Sequence, residues 1–373
     1  SRHYGAESFG LLSLGMSLLN ILTIVSVMGF DRASVKIIAQ LKTKNENLTI
    51  LTYFKKVSSY VFYSSLILSV LFWFLSDLLL VHWYQKPQYL NLLKDLLEDG
   101  KLEEGRNGKT IRGVGAAMHF SLENGKIPVF TTKKSAWKTC IKELLFFCKG
   151  QTDNKILTDQ KVHIWDGNTT AEFLETRGLS HYTPGRDLGP LYAFQWFHFN
   201  APYTGCTSDY TGQGINQLQK VIDDLKNPET RNSRRHVISA WNPEQLDQGV
   251  LPPCHILFQF IVTDDKKLSC LLYQRSCDEF LGICFNCISY SALTIMIAKM
   301  CDLEPYEFIH YGGDCHIYSD HMQQCQEQIS REPYPFPTLE ILNKRENINE
   351  YVLEDFKLND YQHHPQLKGA MRA

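Results

Sequence analysis

The chain has 373 residues, 21% of them charged and 44% hydrophobic, with a formal net charge of −2. That balance carries no electrostatic footprint for nucleic acid, and the length allows one to three domains. Eleven cysteines, odd in number and irregularly spaced, exclude a disulfide-stapled secreted scaffold and fit a reducing compartment.

The first 85 residues differ from the rest. Residues 9–30 carry no charge, and residues 57–83 carry only Asp77. Each run is long enough to cross a bilayer as a helix, which takes roughly 20 apolar residues. They are predicted as two transmembrane helices joined by a basic loop at 31–56. In that loop Arg32, Lys36, Lys42, Lys44, Lys55 and Lys56 outnumber Asp31 and Glu46, which makes it cytoplasmic by the positive-inside rule. A pair of buried core helices is the weaker reading, because neither run has a polar face. A signal peptide does not account for two runs without a small-residue cleavage site. Tyr4-Gly5-Ala6-Glu7-Ser8-Phe9-Gly10-Leu11 and Met28-Gly29-Phe30-Asp31-Arg32-Ala33 resemble part of a polysaccharide flippase of the multidrug-exporter type. Two helices do not make a flippase, so 1–85 reads as a transporter fragment joined to an enzyme, in preference to a genuine membrane tether. Gln85-Lys86-Pro87 is the nearest break.

Beyond it, Tyr89 to Asp99 has helical spacing closed by Gly100. The Gly- and Arg-rich segment 105–113 reads by itself as a solvated basic turn. Phe130-Thr131-Thr132-Lys133-Lys134 leads into a helix predicted over 135–148. Trp137, Cys140, Ile141, Leu144, Leu145 and Cys148 form its apolar stripe, and periodicity alone makes Glu143 a surface residue. Ile164-Trp165-Asp166-Gly167-Asn168 offers a flat indole face, although most tryptophans are core. Asp187-Leu188-Gly189-Pro190-Leu191-Tyr192 is followed by a polar insert at 200–214, a surface loop. Ser233-Arg234-Arg235 precedes a strand predicted over 236–242, and adjacent arginines are more often solvated than functional.

The segment 252–290 organises the chain. Pro252-Pro253-Cys254 opens the strand-like run 255–262, Asp264-Asp265 supplies a turn, and 268–274 returns. Folding that hairpin puts Cys254 opposite Arg275 and Ser276. A cation beside a thiol favours the nucleophilic thiolate, and a guanidinium suits a phosphate. A lone cysteine is usually an inert half-buried thiol, but its surroundings here argue otherwise. Asn286 offers a donor and an acceptor on one amide, enough to read a pyrimidine edge. Cys284 and Cys287 have C-x-x-C spacing without a second pair or a His doublet, so no zinc site is expected. A helix is predicted over 289–303. His316 and His321, five apart, do not share a helix face, and no metal is expected there.

Pro253-Cys254-His255, Tyr273-Gln274-Arg275-Ser276-Cys277-Asp278, Phe280-Leu281-Gly282, Phe285-Asn286 and Gly312-Gly313-Asp314-Cys315-His316-Ile317-Tyr318 closely resemble thymidylate synthase. The resemblance runs from about residue 86 to 373. It implies an α+β domain, a twisted mixed β-sheet covered by helices, here preceded by the two-helix hydrophobic hairpin. It also implies a cytoplasmic homodimer, a methyltransferase making dTMP from dUMP with 5,10-methylenetetrahydrofolate as consumed cosubstrate and no metal. With the basic loop inside, the second helix would instead carry this domain away from the cytoplasm.

By the same resemblance Cys254 is the nucleophile, and Glu143, Tyr192 and Asn286 complete the catalytic set. The dUMP-binding residues implied are Arg106, Gln274, Arg275, Ser276, Asp278, Asn286, His316 and Tyr318. Arg234 and Arg235 would reach across the dimer interface to the phosphate. Folate would contact Trp165, Asn168, Asp278, Leu281, Gly282, Phe285 and Ala373. The sequence departs from the family at the phosphate loop 105–113, where Arg112 rivals Arg106, at Phe197, at Cys284 and in the tail Arg372-Ala373. Those departures leave two alternatives, a deoxyuridylate hydroxymethylase on the same scaffold and a transporter fragment with an inert catalytic portion.

Overall fold

The computed structural model describes residues 30–43, 47–84, 88–105 and 107–371. The chain divides into two compact units, Ser1–Lys86 and Pro87–Ala373.

In the first unit, helices α1 (Phe30–Thr43) and α2 (Asn47–Tyr84) occupy most of the expected basic loop 31–56. No Gly or Pro falls between 31 and 56, so the backbone meets no helix breaker there. The two helices are tied by Ser34 Oγ and Tyr53 OH at 3.2 Å. Of the apolar run 9–30, all but Phe30 lies outside the described residues. Among the described residues, the helix long and apolar enough to cross a membrane is Gly282–Met300, and most of it is buried inside the second unit. The transmembrane reading of 9–30, but for Phe30, falls outside the described residues, and that of 57–83 has no support among them.

The second unit is built on a six-stranded sheet, with β1 Lys101–Gly105, β2 Gly108–Ser121, β3 Val237–Ser239, β4 His255–Thr263, β5 Lys267–Asp278 and β6 Glu304–Tyr318. Their order is β1-β2-β6-β5-β4-β3. Only β5 and β6 pair in parallel; the other pairs are antiparallel. A parallel pair needs a crossover, and helix Gly282–Met300 supplies it, packing on both strands. Its residues are buried on nearly every side, as expected of a helix that is apolar all round. It begins seven residues before the predicted 289–303, so Cys284 and Cys287 sit in a buried helix and not in a turn. Asp278 turns the chain into it by accepting the N–H groups of Phe280 and Leu281, at 3.0 and 3.2 Å.

The β4–β5 hairpin turns at Asp264 and Asp265, whose φ angles are +50° and +57°. Aspartate tolerates that left-handed region better than most residues. The register pairs His255 with Gln274, and Arg275 N–H donates to the Cys254 carbonyl at 2.8 Å. Of the expected basic turn 105–113, Gly105 closes β1 and residues 108–113 already form β2, Gly105 pairing with Gly108.

Candidate active site

The open end of the β4–β5 hairpin faces a cleft of about 830 Å³. Cys254 sits on its wall, half-buried. Pro252 and Pro253 have no N–H to give to a ladder, and their carbonyls are taken by Arg275. Its Nη2 donates to Pro252 O and its Nε to Pro253 O, both at 2.8 Å. The same Nη2 lies 4.0 Å from Cys254 Sγ. The guanidinium also stands over the Trp241 ring, 5.6 Å from its centre. Arg275 is thus held by backbone oxygens and an aromatic face, with its charge directed at the sulfur, the setting in which cysteine becomes nucleophilic. Tyr192 OH accepts the Cys254 N–H at 2.8 Å.

Glu143 corrects the surface reading. Helix Trp137–Phe147 is enclosed, and Cys140, Ile141 and 143–147 are all buried, so the apolar stripe does not mark its only inward side. Burial lifts the Glu143 pKa to about 7, while the bond from Trp165 Nε1 to its Oε1, at 2.8 Å, pulls the other way. A carboxyl there exchanges protons near neutrality. Burial, with Cys254 nearby, holds the Tyr192 phenol well above its usual range, so it stays neutral. Its ring stacks on His255 with centroids 3.9 Å apart. Burial lowers the His255 pKa to about 3, and its Nδ1 meets Tyr290 OH at 2.6 Å.

The polar wall comes from β5, β6 and the first turn of helix Gly282–Met300, which carries Asn286. Gln274 is fixed at both ends: its Nε2 donates to Ser276 O at 3.0 Å, and its Oε1 meets His310 Nε2 at 3.2 Å. Ser276, Asp278, His316 and Tyr318 line the same cleft. His316 Nδ1 pairs with Asp314 at 2.9 Å, and Tyr318 stands edge-on to the His316 ring. Trp165, Leu281, Gly282 and Phe285 give the cleft an apolar part beside these polar groups.

Several expected residues lie elsewhere. Asn168 is buried beneath the wall and does not line the cleft. Arg106, Arg372 and Ala373 lie outside the described residues. Arg112 reaches the cleft but is engaged by Glu103, at 2.5 Å, and by Asp314. Arg234 and Arg235 are exposed ahead of β3 and do not line the cleft of their own chain. Gly108, Thr110 and Arg112 do line it, on alternate residues of β2. Period-two spacing was the available signal, hidden because the segment reads as a turn. Asp314 and His255 went unassigned, since nothing in sequence separates them from ordinary strand residues.

The thymidylate synthase family model matches residues 87–373. A thymidylate synthase of Saccharomyces cerevisiae is 46% identical over 298 residues, covering 77% of this chain and 97% of the yeast protein. Bifunctional dihydrofolate reductase-thymidylate synthases of Zea mays and Leishmania major are 45% and 44% identical, covering 77% of this chain. The chain spans about half the length of these two bifunctional relatives, 54% and 55%. The match begins at residue 87, and the flippase likeness of 1–85 finds no support in it. From residue 87 to 373 the chain belongs to the thymidylate synthase family.

Proposed function

We propose that the chain catalyses reductive methylation of dUMP to dTMP, consuming 5,10-methylenetetrahydrofolate and releasing dihydrofolate. The observation that carries this reading is Arg275 anchored on the Pro252 and Pro253 carbonyls with Nη2 4.0 Å from Cys254 Sγ. Cys254 adds to C6 of the pyrimidine, and the electron pair displaced to C5 attacks the folate methylene. Glu143 and Tyr192 then assist loss of the C5 proton through water. Elimination of the folate leaves an exocyclic methylene on the ring, hydride from the folate reduces it, and Cys254 is expelled.

Asn286 reads the uracil edge by donating to O4 and accepting from N3–H. Arg275 and Ser276 take the phosphate, while His316 and Tyr318 take the deoxyribose hydroxyl. The apolar wall of Trp165, Leu281 and Phe285 suits a pterin ring, and the cleft's volume lies in the range that holds ligands of this size.

A homodimer is part of the reading. Ala117, Tyr311, Tyr273 and Leu257 are direct neighbours across β2, β6, β5 and β4. Tyr311, Tyr273 and Leu257 remain 37–39% exposed. An apolar row across a sheet face invites a second copy, and Arg234 and Arg235 lie just ahead of the strand at that sheet's edge.

The test mixes purified full-length chain with dUMP and methylenetetrahydrofolate, follows dihydrofolate by absorbance and identifies the nucleotide. dTMP with equimolar dihydrofolate is expected. A 5-hydroxymethyl nucleotide without dihydrofolate would move the chain to the hydroxymethylase reading, and no product from a folded protein would overturn both.

A further inference from the structure

We propose that Cys277, Glu279 and Cys315 form a binding site for one thiophilic divalent cation, zinc above all, behind the strands that carry the nucleotide-binding residues. Cys277 and Cys315 are direct neighbours on the parallel strands β5 and β6. Side chains alternate along a strand. Ser276, Asp278, Asp314 and His316 therefore face the cleft, while the two sulfurs point to the buried side of the sheet. The ligating atoms of Cys277, Glu279 and Cys315 all lie within 4.8 Å of one another, and the three residues are buried.

Two independent features mark this as more than a pair of core thiols. Glu279 is fully buried, and among the described residues its carboxylate faces the Cys315 thiol and makes no well-formed hydrogen bond to any group outside the cluster. A buried carboxyl left with only a weak thiol contact is poorly satisfied, and a cation bound there would remove the penalty. The backbone also makes room for the sulfurs. A Cβ at Gly312 would stand 2.7 Å from Cys315 Sγ and 3.2 Å from Cys277 Sγ, so any side chain there would intrude on them. Glu279 is itself fixed in place, since its N–H donates to His316 O at 2.9 Å and its carbonyl accepts from Tyr89 OH at 2.8 Å.

Two thiolates and a carboxylate form a donor set that favours zinc over magnesium or calcium, with one coordination position left open. Binding displaces the two thiol protons and the carboxyl proton. The ion would pin the ends of β5 and β6 to each other, so its role is structural. The site escapes a spacing search because its ligands come from two strands 38 residues apart in register.

The test uses full-length chain, reduced, stripped with chelator and titrated with Co²⁺ without oxygen. The expected result is a near-ultraviolet sulfur-to-cobalt charge-transfer band that saturates at one equivalent and is abolished by added Zn²⁺. The band should survive Cys254→Ser, fall by about half in Cys277→Ser or Cys315→Ser, and need more cobalt to saturate in Glu279→Gln. Zn²⁺ should also raise the thermal midpoint of the unmutated protein by a few degrees. A wild-type protein that shows no thiolate band overturns the site, and that measurement needs no variant to fold. A band that persists in the double Cys277→Ser, Cys315→Ser variant, or a Cys277–Cys315 disulfide with no metal uptake after reduction, overturns it equally.

Discussion

Glu143 and Glu279 are both buried glutamates in one unit, 9% and 0% exposed, and they differ in what surrounds them. Glu143 keeps one indole donor and borders the cleft, and burial sets its pKa at about 7. Glu279 lies on the reverse side of the sheet beside Cys277 and Cys315, held well above the ordinary carboxyl range by burial and the adjoining Cys315. Desolvation acts on both in the same sense. Access and partners decide the outcome: a buried carboxyl open to substrate carries protons, and one closed in beside two thiols waits for a cation.

The largest expected effect separates the two regions. Cys254→Ser removes the proposed nucleophile and should lower kcat by roughly 10⁴-fold or more, the scale seen when a covalent nucleophile is lost. It should leave cobalt uptake at Cys277 and Cys315 untouched. If turnover survives, the cleft is not the reaction site. Glu143→Gln comes next, with a loss of about 10²- to 10⁴-fold, the range for a positioned acid–base group. On the proposed mechanism the carboxylate is the proton acceptor, so activity should fall as pH drops below about 7, where Glu143 takes up a proton. That limb should vanish from the residual activity of the variant, and its persistence would assign the titration to another group.

On the other side of the comparison, Glu279→Leu replaces a buried carboxyl held only against the Cys315 thiol by an apolar group of similar size. Denaturant unfolding of metal-free protein should show a gain of about 1–3 kcal/mol, the penalty of a buried unsatisfied polar group. Zinc should stabilise the variant less than it stabilises the parent. A loss of stability without metal would mean that the contact with the Cys315 thiol already satisfies Glu279.

The two carboxyls were not equally legible in the sequence. The hairpin that sets Arg275 beside Cys254 could be read from two prolines, two strand-like runs and an Asp-Asp turn, because those signals are local. Glu143 could not be read from periodicity, since its helix is enclosed on several sides and the apolar stripe does not mark the only inward face. The resemblance to thymidylate synthase, and not spacing, singled it out. The Cys277, Glu279 and Cys315 cluster depends on the parallel pairing of β5 with β6, a contact that only the crossover helix creates. The stretch 31–56 was read only as the connection between two apolar runs, with its lysines used to set the membrane side; lacking Gly and Pro, it is helical over 31–43 and 47–56.

The smallest effect tests the one bond that most sharply distinguishes the two glutamates. Trp165 Nε1 donates to Glu143 Oε1 at 2.8 Å and holds its pKa below what burial alone would give. Trp165→Phe keeps an aromatic face on the apolar wall but removes the N–H. A hydrogen bond to a charged group contributes about 1.5–3 kcal/mol, and 1.36 kcal/mol corresponds to one pKa unit. Losing the donor should therefore raise the Glu143 pKa by about one to two. At pH 7 the ionised fraction would drop from about half to about a tenth or less, a fall in kcat of about fivefold or more that raising the pH restores. The KM for folate should change much less than kcat at pH 7. A fall that stays constant across the pH range would show that the indole only shapes the wall, and the contrast between the two glutamates would then rest on access alone.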